Sequence, residues 1–379
     1  MRHHIFLKAV PAGLAALLAL AVVPAAAGPS ILFDVKTGQV LEHEDAFSRW
    51  YPASLTKLMT AYVTFRAIEA GELTLASPIK VTKKSAAEPP SKMGYKPGSV
   101  MTLDNALKMM IIKSANDIAA AVGENVGGTI PAFAERMNAE ARRLGMTGSH
   151  FTNANGLHDP ENYTTARDLA LLVRAIRVEF PQYAPYFAIE GLRAGKARMK
   201  SYNLLVGRFA GADGMKTGFV CASGYNLIGT ATRNGRTLAA VVLGETTPQG
   251  RAEKAADLLA EGFKMVPSGP LTITGLTPYG DEQLVATDMR AAACGKKTAS
   301  ENTPMRDEKG RLLLKSPHIA QMTREPKLVT VSLGGATGPV PAAFAAIEAK
   351  NYADVPIPTW RPDMPMPGVQ AAQGDDGQL

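Results

Sequence analysis

Cysteine is nearly missing: the chain has two in 379 residues, Cys221 and Cys294. Two cysteines cannot build a thiolate metal site. No His/Cys cluster with ligand spacing stands elsewhere, so neither a metal nor another cofactor is expected. Dense basic runs are missing too. The formal charge of +7 is spread along the chain. It reads as a solvated basic surface, suited at most to attracting an acidic polymer, and no nucleic-acid partner is expected. No internal repeat is found, which excludes solenoid architectures. The main apolar run, residues 9–23, is short of the ~20 residues of a membrane span. It follows Arg2 and Lys8 and leads into Pro24-Ala25-Ala26-Ala27, small residues in the A-x-A pattern. This predicts a secretory signal peptide over residues 1–27, cleaved near Ala27; an uncleaved anchor is the alternative. Export implies an oxidising compartment, in which Cys221 and Cys294 are expected to pair, two separate buried thiols being the other reading. The long loop they would close corresponds to roughly 4 kcal/mol in the chain-entropy account.

What is present is enough for more than one domain and a full core, with 46% hydrophobic and 20% charged residues. Residues 28–265 alternate strand and helix signals. Residues 30–35 and 40–41 read as strands around a Lys36-Thr37-Gly38-Gln39 turn. Helical spacing runs from Ser54 to about Ala70, with Gly71 just past its end. Further helices are expected over 102–112, from 116 to Gly127-Gly128, and over 129–144 before Gly145. Thr165 opens another, with Asp168 three residues on, as in a capping box. Strand signals return near Lys216 and over 225–232 and 237–244, the last two around Asn234-Gly235, a strong hairpin signal. A helix over 249–264 follows. Strands at both ends with a helical block between them predict an antiparallel sheet flanked by helices. Residues 266–352 carry short apolar runs such as 328–333 among turn residues and read as a small, partly β module. Residues 353–379 are rich in Pro, Gly and Asp and are expected to be disordered.

Three short motifs carry chemistry. Ser54-Leu55-Thr56-Lys57 opens the first long helix, so Lys57 shares a face with Ser54. A serine hydroxyl needs an adjacent base, and a lysine serves when it is neutral. Burial or a nearby cation lowers its pKa. Ser114-Ala115-Asn116 falls in the break between two helices, where Ser114 can relay a proton and Asn116 can hold a substrate amide. Lys216-Thr217-Gly218 lies on the expected edge strand. There Lys216 is the second cation that would depress Lys57, Thr217 a carboxylate ligand, and Gly218 a place where substrate backbone lies close. Each motif alone also reads as ordinary structure: a helix start, an N-cap pair, an exposed strand. Their joint order is the signal.

Together they resemble the active site of the penicillin-recognising serine enzymes. The intervals from Ser54 to Ser114 and from Ser114 to Lys216 narrow the resemblance to the low-molecular-mass D-alanyl-D-alanine carboxypeptidases. Flanking text agrees over about residues 29–265: Pro52-Ala53 and Leu58-Met59-Thr60 around the first motif, Asn116-Asp117, Phe151-Thr152-Asn153, Asn155-Gly156-Leu157, and Asp213-Gly214-Met215 before the third. The resemblance implies an α/β (α+β) fold of the DD-peptidase/β-lactamase type with an inserted helical subdomain. It also implies hydrolysis of the terminal D-alanine from peptidoglycan stem peptides through a Ser54 acyl-enzyme, with β-lactams as covalent inhibitors. Lys57 would be the base, and Ser114 with Lys216 would pass the proton to the leaving group. Backbone N–H groups of Ser54 and Phe219 would form the oxyanion hole, and Arg251 would bind the substrate's free carboxylate. The implied location is the periplasm.

Two features depart from the family. Phe219 stands where relatives often carry a polar residue. The end of the chain lacks a basic amphipathic helix, which leaves membrane attachment open. A D,D-endopeptidase would share the chemistry. A β-lactamase of the class with a Glu-x-x-Leu-Asn stretch would need that stretch between the second and third motifs, and only a lone Glu161 is there. A non-catalytic wall-binding module would not need Ser54, Lys57, Ser114, Asn116 and Lys216 all intact.

Overall fold

The computed structural model describes residues 28–266, 269–280, 284–295, 306–308 and 310–353. The expected leader (1–27), and the expected tail beyond Ala353, lie outside them. In chain order the elements are β1 (Ser30–Asp34), β2 (Val40–Glu44), α1 (Thr56–Glu69), β3 (Pro78–Lys80), α2 (Lys83–Ala87), β4 (Val100–Thr102), α3 (Leu103–Ile112) and α4 (Asn116–Gly127). There follow α5 (Ile130–Leu144), α6 (Ala166–Glu179), α7 (Ala184–Phe187), β5 (Gly191–Ala194), β6 (Ala197–Lys200), β7 (Ala212–Val220), β8 (Gly224–Arg233), β9 (Arg236–Glu245) and α8 (Pro248–Lys264). The chain continues through α9 (Arg290–Cys294), β10 (Leu328–Val331) and a helix Ala342–Ala353.

The main sheet is antiparallel, in the order β2-β1-β9-β8-β7. Side chains alternate between its faces. Ile31, Phe33, Ala239, Val241 and Leu243 enter one core, with α1, α3, α4 and α6. Leu32, Leu238, Ala240 and Val242 enter a second, under α8. Both faces are covered, which is why 237–244 reads as a continuous apolar run rather than an alternating one. Asn234 and Gly235 both have positive φ (50° and 77°), as a two-residue hairpin of type I′ requires. Threonine caps set the helix starts. Thr102, Thr129, Thr165 and Thr247 each accept the backbone N–H three residues on, at 2.8–3.2 Å. Helix α1 is the centre of the molecule: it is buried from Thr56 to Phe65 all the way round, polar residues included. Thr60 answers this by donating to the Ala154 carbonyl, and Thr64 by donating back to Thr60 O.

Between β2 and β7 lies the helical block the sequence predicts. Residues 266–352, expected as a small partly β module, supply one strand among the described residues. That strand, β10, pairs in parallel with β5 in a three-stranded sheet β10-β5-β6. Ile273, Leu276 and Val331 join the first core and Ile319 the second. These four residues anchor the segment on the body. Among the described residues no helix is long and apolar enough to cross a membrane.

Candidate active site

The amino end of α1 meets β7 and the break between α3 and α4. Ser54 sits in a 3-10 turn, Ala53–Leu55, that runs straight into α1. Ala53 adopts a left-handed φ of 48°, unusual for a residue with a Cβ, and it turns the chain sharply just before Ser54. Two glycines let neighbours close on this turn. A Cβ at Gly218 would lie 2.8 Å from Pro52 O and 3.1 Å from Ser54 N; one at Gly156, whose φ is 79°, would lie 1.8 Å from Ala53 O. Gly218 therefore answers first to the Ser54 turn, not only to a substrate.

Lys57 is fully buried beneath Ser54. Its Nζ donates to Ser54 Oγ at 2.8 Å, to Asn116 Oδ1 at 2.8 Å and to the Asn155 carbonyl at 2.6 Å. Burial lowers its pKa to about 7, against the opposing pull of the Glu88 and Asp117 carboxylates. Lys216, also buried, donates to Ser114 Oγ at 2.9 Å and to Thr217 O at 2.8 Å. Its pKa is lowered by burial first, then by the charges of Lys57 and Arg251. Of the two causes the sequence offers for a lowered Lys57 pKa, burial and a nearby cation, burial is the larger in the structure.

Ser114 has a left-handed φ of 58° at the end of α3. Asn116, expected to hold a substrate amide, has both ends of its side chain engaged: Oδ1 by Lys57, and Nδ2 by donation to Pro89 O at 2.9 Å. It orients the lysine and ties down the 88–94 loop. Arg251 is buried, donates from Nη1 to the carbonyls of Gly218 (3.0 Å) and Asn226 (3.1 Å), and lies over the Tyr225 ring. Burial lowers its pKa to about 10. Phe219 is two-fifths exposed and stacks on Tyr225, centroids 4.1 Å apart.

A cleft of about 340 Å³ opens over this group. All the expected site residues line it except the two lysines, which reach Ser54 and Ser114 from behind. Just beyond the cleft, Cys221 and Cys294 form a disulfide, Cα–Cα 5.6 Å, and Met289 N donates to Ala222 O, so α9 is tied to the β7–β8 turn. The carbonyl of Asn155 and the carboxylates of Glu88 and Asp117 are the parts that the motifs do not name. The Asn155-Gly156 pair could have pointed to the first, since a glycine there signals a tight approach. Asp117 accepts the N–H groups of Met93 and Gly94 at 2.8–3.0 Å, a long-range role no local pattern encodes. Among the described residues no cluster of His, Cys, Asp and Glu could hold a metal.

Comparison with known proteins agrees with this geometry. The family model described as D-alanyl-D-alanine carboxypeptidase (peptidase S11) matches residues 19–247. D-alanyl-D-alanine carboxypeptidase DacC of Escherichia coli is 34% identical over 255 residues, 65% of this chain and 63% of that protein. The chain thus spans a little under two thirds of that relative's length. The crystal structure of the carboxypeptidase DacD from Francisella tularensis superposes with a TM-score of 0.61 at 30% identity, over 63% of this chain and 70% of that one. Ampicillin-bound penicillin-binding protein D2 from Listeria monocytogenes gives 0.58 at 29% identity, over 62% of this chain and 97% of that one.

Proposed function

Because the chain belongs to the peptidase S11 family of D-alanyl-D-alanine carboxypeptidases, we propose that it hydrolyses the terminal D-alanine from peptidoglycan stem peptides through an acyl-enzyme on Ser54. One observation carries this reading: Lys57 Nζ lies 2.8 Å from Ser54 Oγ with its pKa brought down to about 7. A neutral amine has two hydrogens and one lone pair. Asn116 Oδ1 and the Asn155 carbonyl take the hydrogens, which turns the lone pair toward Ser54. Lys57 then accepts the Ser54 proton as Oγ attacks the carbonyl between the two D-alanines. The N–H groups of Ser54 and Phe219, two cleft-lining residues, would stabilise the oxyanion.

Collapse of the intermediate needs a proton on the leaving nitrogen. Ser114, hydrogen-bonded to Lys216, supports that transfer. The free carboxylate of the leaving residue goes to Thr217 and Arg251, and water hydrolyses the ester that remains. β-Lactams would acylate the same hydroxyl. The same reading takes residues 28–265 as the catalytic unit, 266–352 as a C-terminal module, and 1–27 as a leader that exports the protein to the periplasm.

D-alanine release from a pentapeptide ending in D-Ala-D-Ala tests the proposal. Residues 28–379 are expected to release it and a Ser54→Ala variant to release none. Covalent labelling by penicillin without D-alanine release would redirect the substrate to cross-linked muropeptides. Neither release nor labelling would sink the enzymatic reading.

A further inference from the structure

One wall of the cleft carries, beside Ser114, groups that the chemistry above does not use. Ser91, Tyr202 and Ser114 line it, and Lys113 immediately precedes Ser114 at the end of α3. Lys113 Nζ donates to the Tyr202 hydroxyl at 3.2 Å and lies 5.6 Å from the centre of its ring. Ser91 Oγ donates to the Lys113 carbonyl at 3.0 Å, which fixes the lysine from the other side. Burial alone would raise the Tyr202 pKa. Hydrogen bonds from Lys113 and Ser91 outweigh it and hold the phenol below its ordinary value. Tyr202 is 46% exposed, so the ring stands open at the rim. An ammonium has three hydrogens, and among the described residues no carboxylate forms an ion pair with Lys113.

Arg251 and Thr217 belong to the β7 wall, and the proposed function assigns them the leaving residue. The Tyr202 side of the cleft, past Ser114, is then open to the acyl part of the substrate. That part meets there an aromatic face with a cation beside it, a surface that takes an aliphatic stem ending in an anion. We propose that Lys113 and Tyr202 form an acyl-side specificity subsite that selects peptides whose residue before D-Ala-D-Ala carries a free side-chain carboxylate. The inference rests on the reading of Ser54 as a peptide-acylated nucleophile.

The test compares kcat/KM for D-alanine release from Nα-acetyl-X-D-Ala-D-Ala with X as L-glutamate, L-glutamine or L-lysine. The wild type is expected to favour glutamate over glutamine by about fivefold, a preference that weakens with added salt. Lys113→Met should bring the ratio to about one, and Lys113→Arg should keep it. Lys113→Glu should turn the preference toward lysine, a gain that misfolding cannot imitate. Equal turnover of all three peptides by the wild type, or a preference that survives Lys113→Met, overturns the subsite while leaving the carboxypeptidase reading intact. Release from none of the peptides overturns both.

Discussion

Lys57 has three acceptors within 2.8 Å, and none of them is a carboxylate. The proposed role as base requires the neutral form, so acylation by penicillin is expected to rise with pH through a midpoint of about 7 and then level off. Lys57→Arg keeps a cation but cannot lose its proton in this range, and should acylate at least ~100-fold more slowly at every pH. The same burial acts on stability. An unfolded lysine titrates near ~10.4, so between that value and about 7 the unfolded chain holds a proton that the folded chain does not. Stability therefore rises with pH across this window, and below it the buried charge costs on the order of 4 kcal/mol. Lys57→Met should abolish acylation. At pH 6 it should also raise the unfolding free energy by ~1–3 kcal/mol, after allowing for the acceptors left unpaired on Asn116 and Asn155. Urea denaturation at pH 6 and pH 10 checks this: the gain must shrink at the higher pH.

The turn that carries Ser54 is held between two elements by two glycines. Gly218→Ala places a methyl 2.8 Å from Pro52 O, a backbone atom that cannot swing aside. The expected result is a folded protein whose β7 stands off from Ser54. Acylation by penicillin should fall ~10–100-fold while the melting temperature changes little, because a shift on the scale of an ångström is enough to spoil the attack geometry. Much of this level was legible in the sequence. Thr102, Thr129, Thr165 and Gly145 mark helix ends by local chemistry, and Asn234-Gly235 marks the hairpin. The three motifs lie where their elements suggest. What could not be read depends on contacts far apart in the chain: the Asp117 carboxylate holding the 93–94 backbone, and Tyr202 beside Lys113. Helix α1 shows the same limit, since burial on every side gives its polar residues no periodic signature.

At the scale of the molecule, the described residues between 269 and 353 act through scattered anchors. Val331 sits in the first core and β10 pairs with β5. Val331→Ala should lower the unfolding free energy by ~1–3 kcal/mol, measurable by thermal melting, with the Ser54 chemistry unchanged. The disulfide spans 73 residues and ties α9 to the β7–β8 turn. Replacing Cys221 and Cys294 by serine should lower stability by roughly 2–5 kcal/mol, read as an earlier melt that reductant no longer shifts. The disulfide is expected from the sequence, and the 328–333 run stands out there; its docking on β5 does not, because a short apolar run in a turn-rich stretch says nothing of its partner. The sheet itself ends at β7, beside Ser54. An unpaired strand is a template that any extended chain can join, and proteins ordinarily blunt such borders with charge, bulges or proline. Here the bulge lies at the far end, at Ala212/Gly214, while the stretch beside Ser54 carries Gly218 and an outward Phe219. The opening that admits a substrate is therefore also where one copy can adhere to another on heating, and a covalently seated inhibitor should delay clumping by filling it.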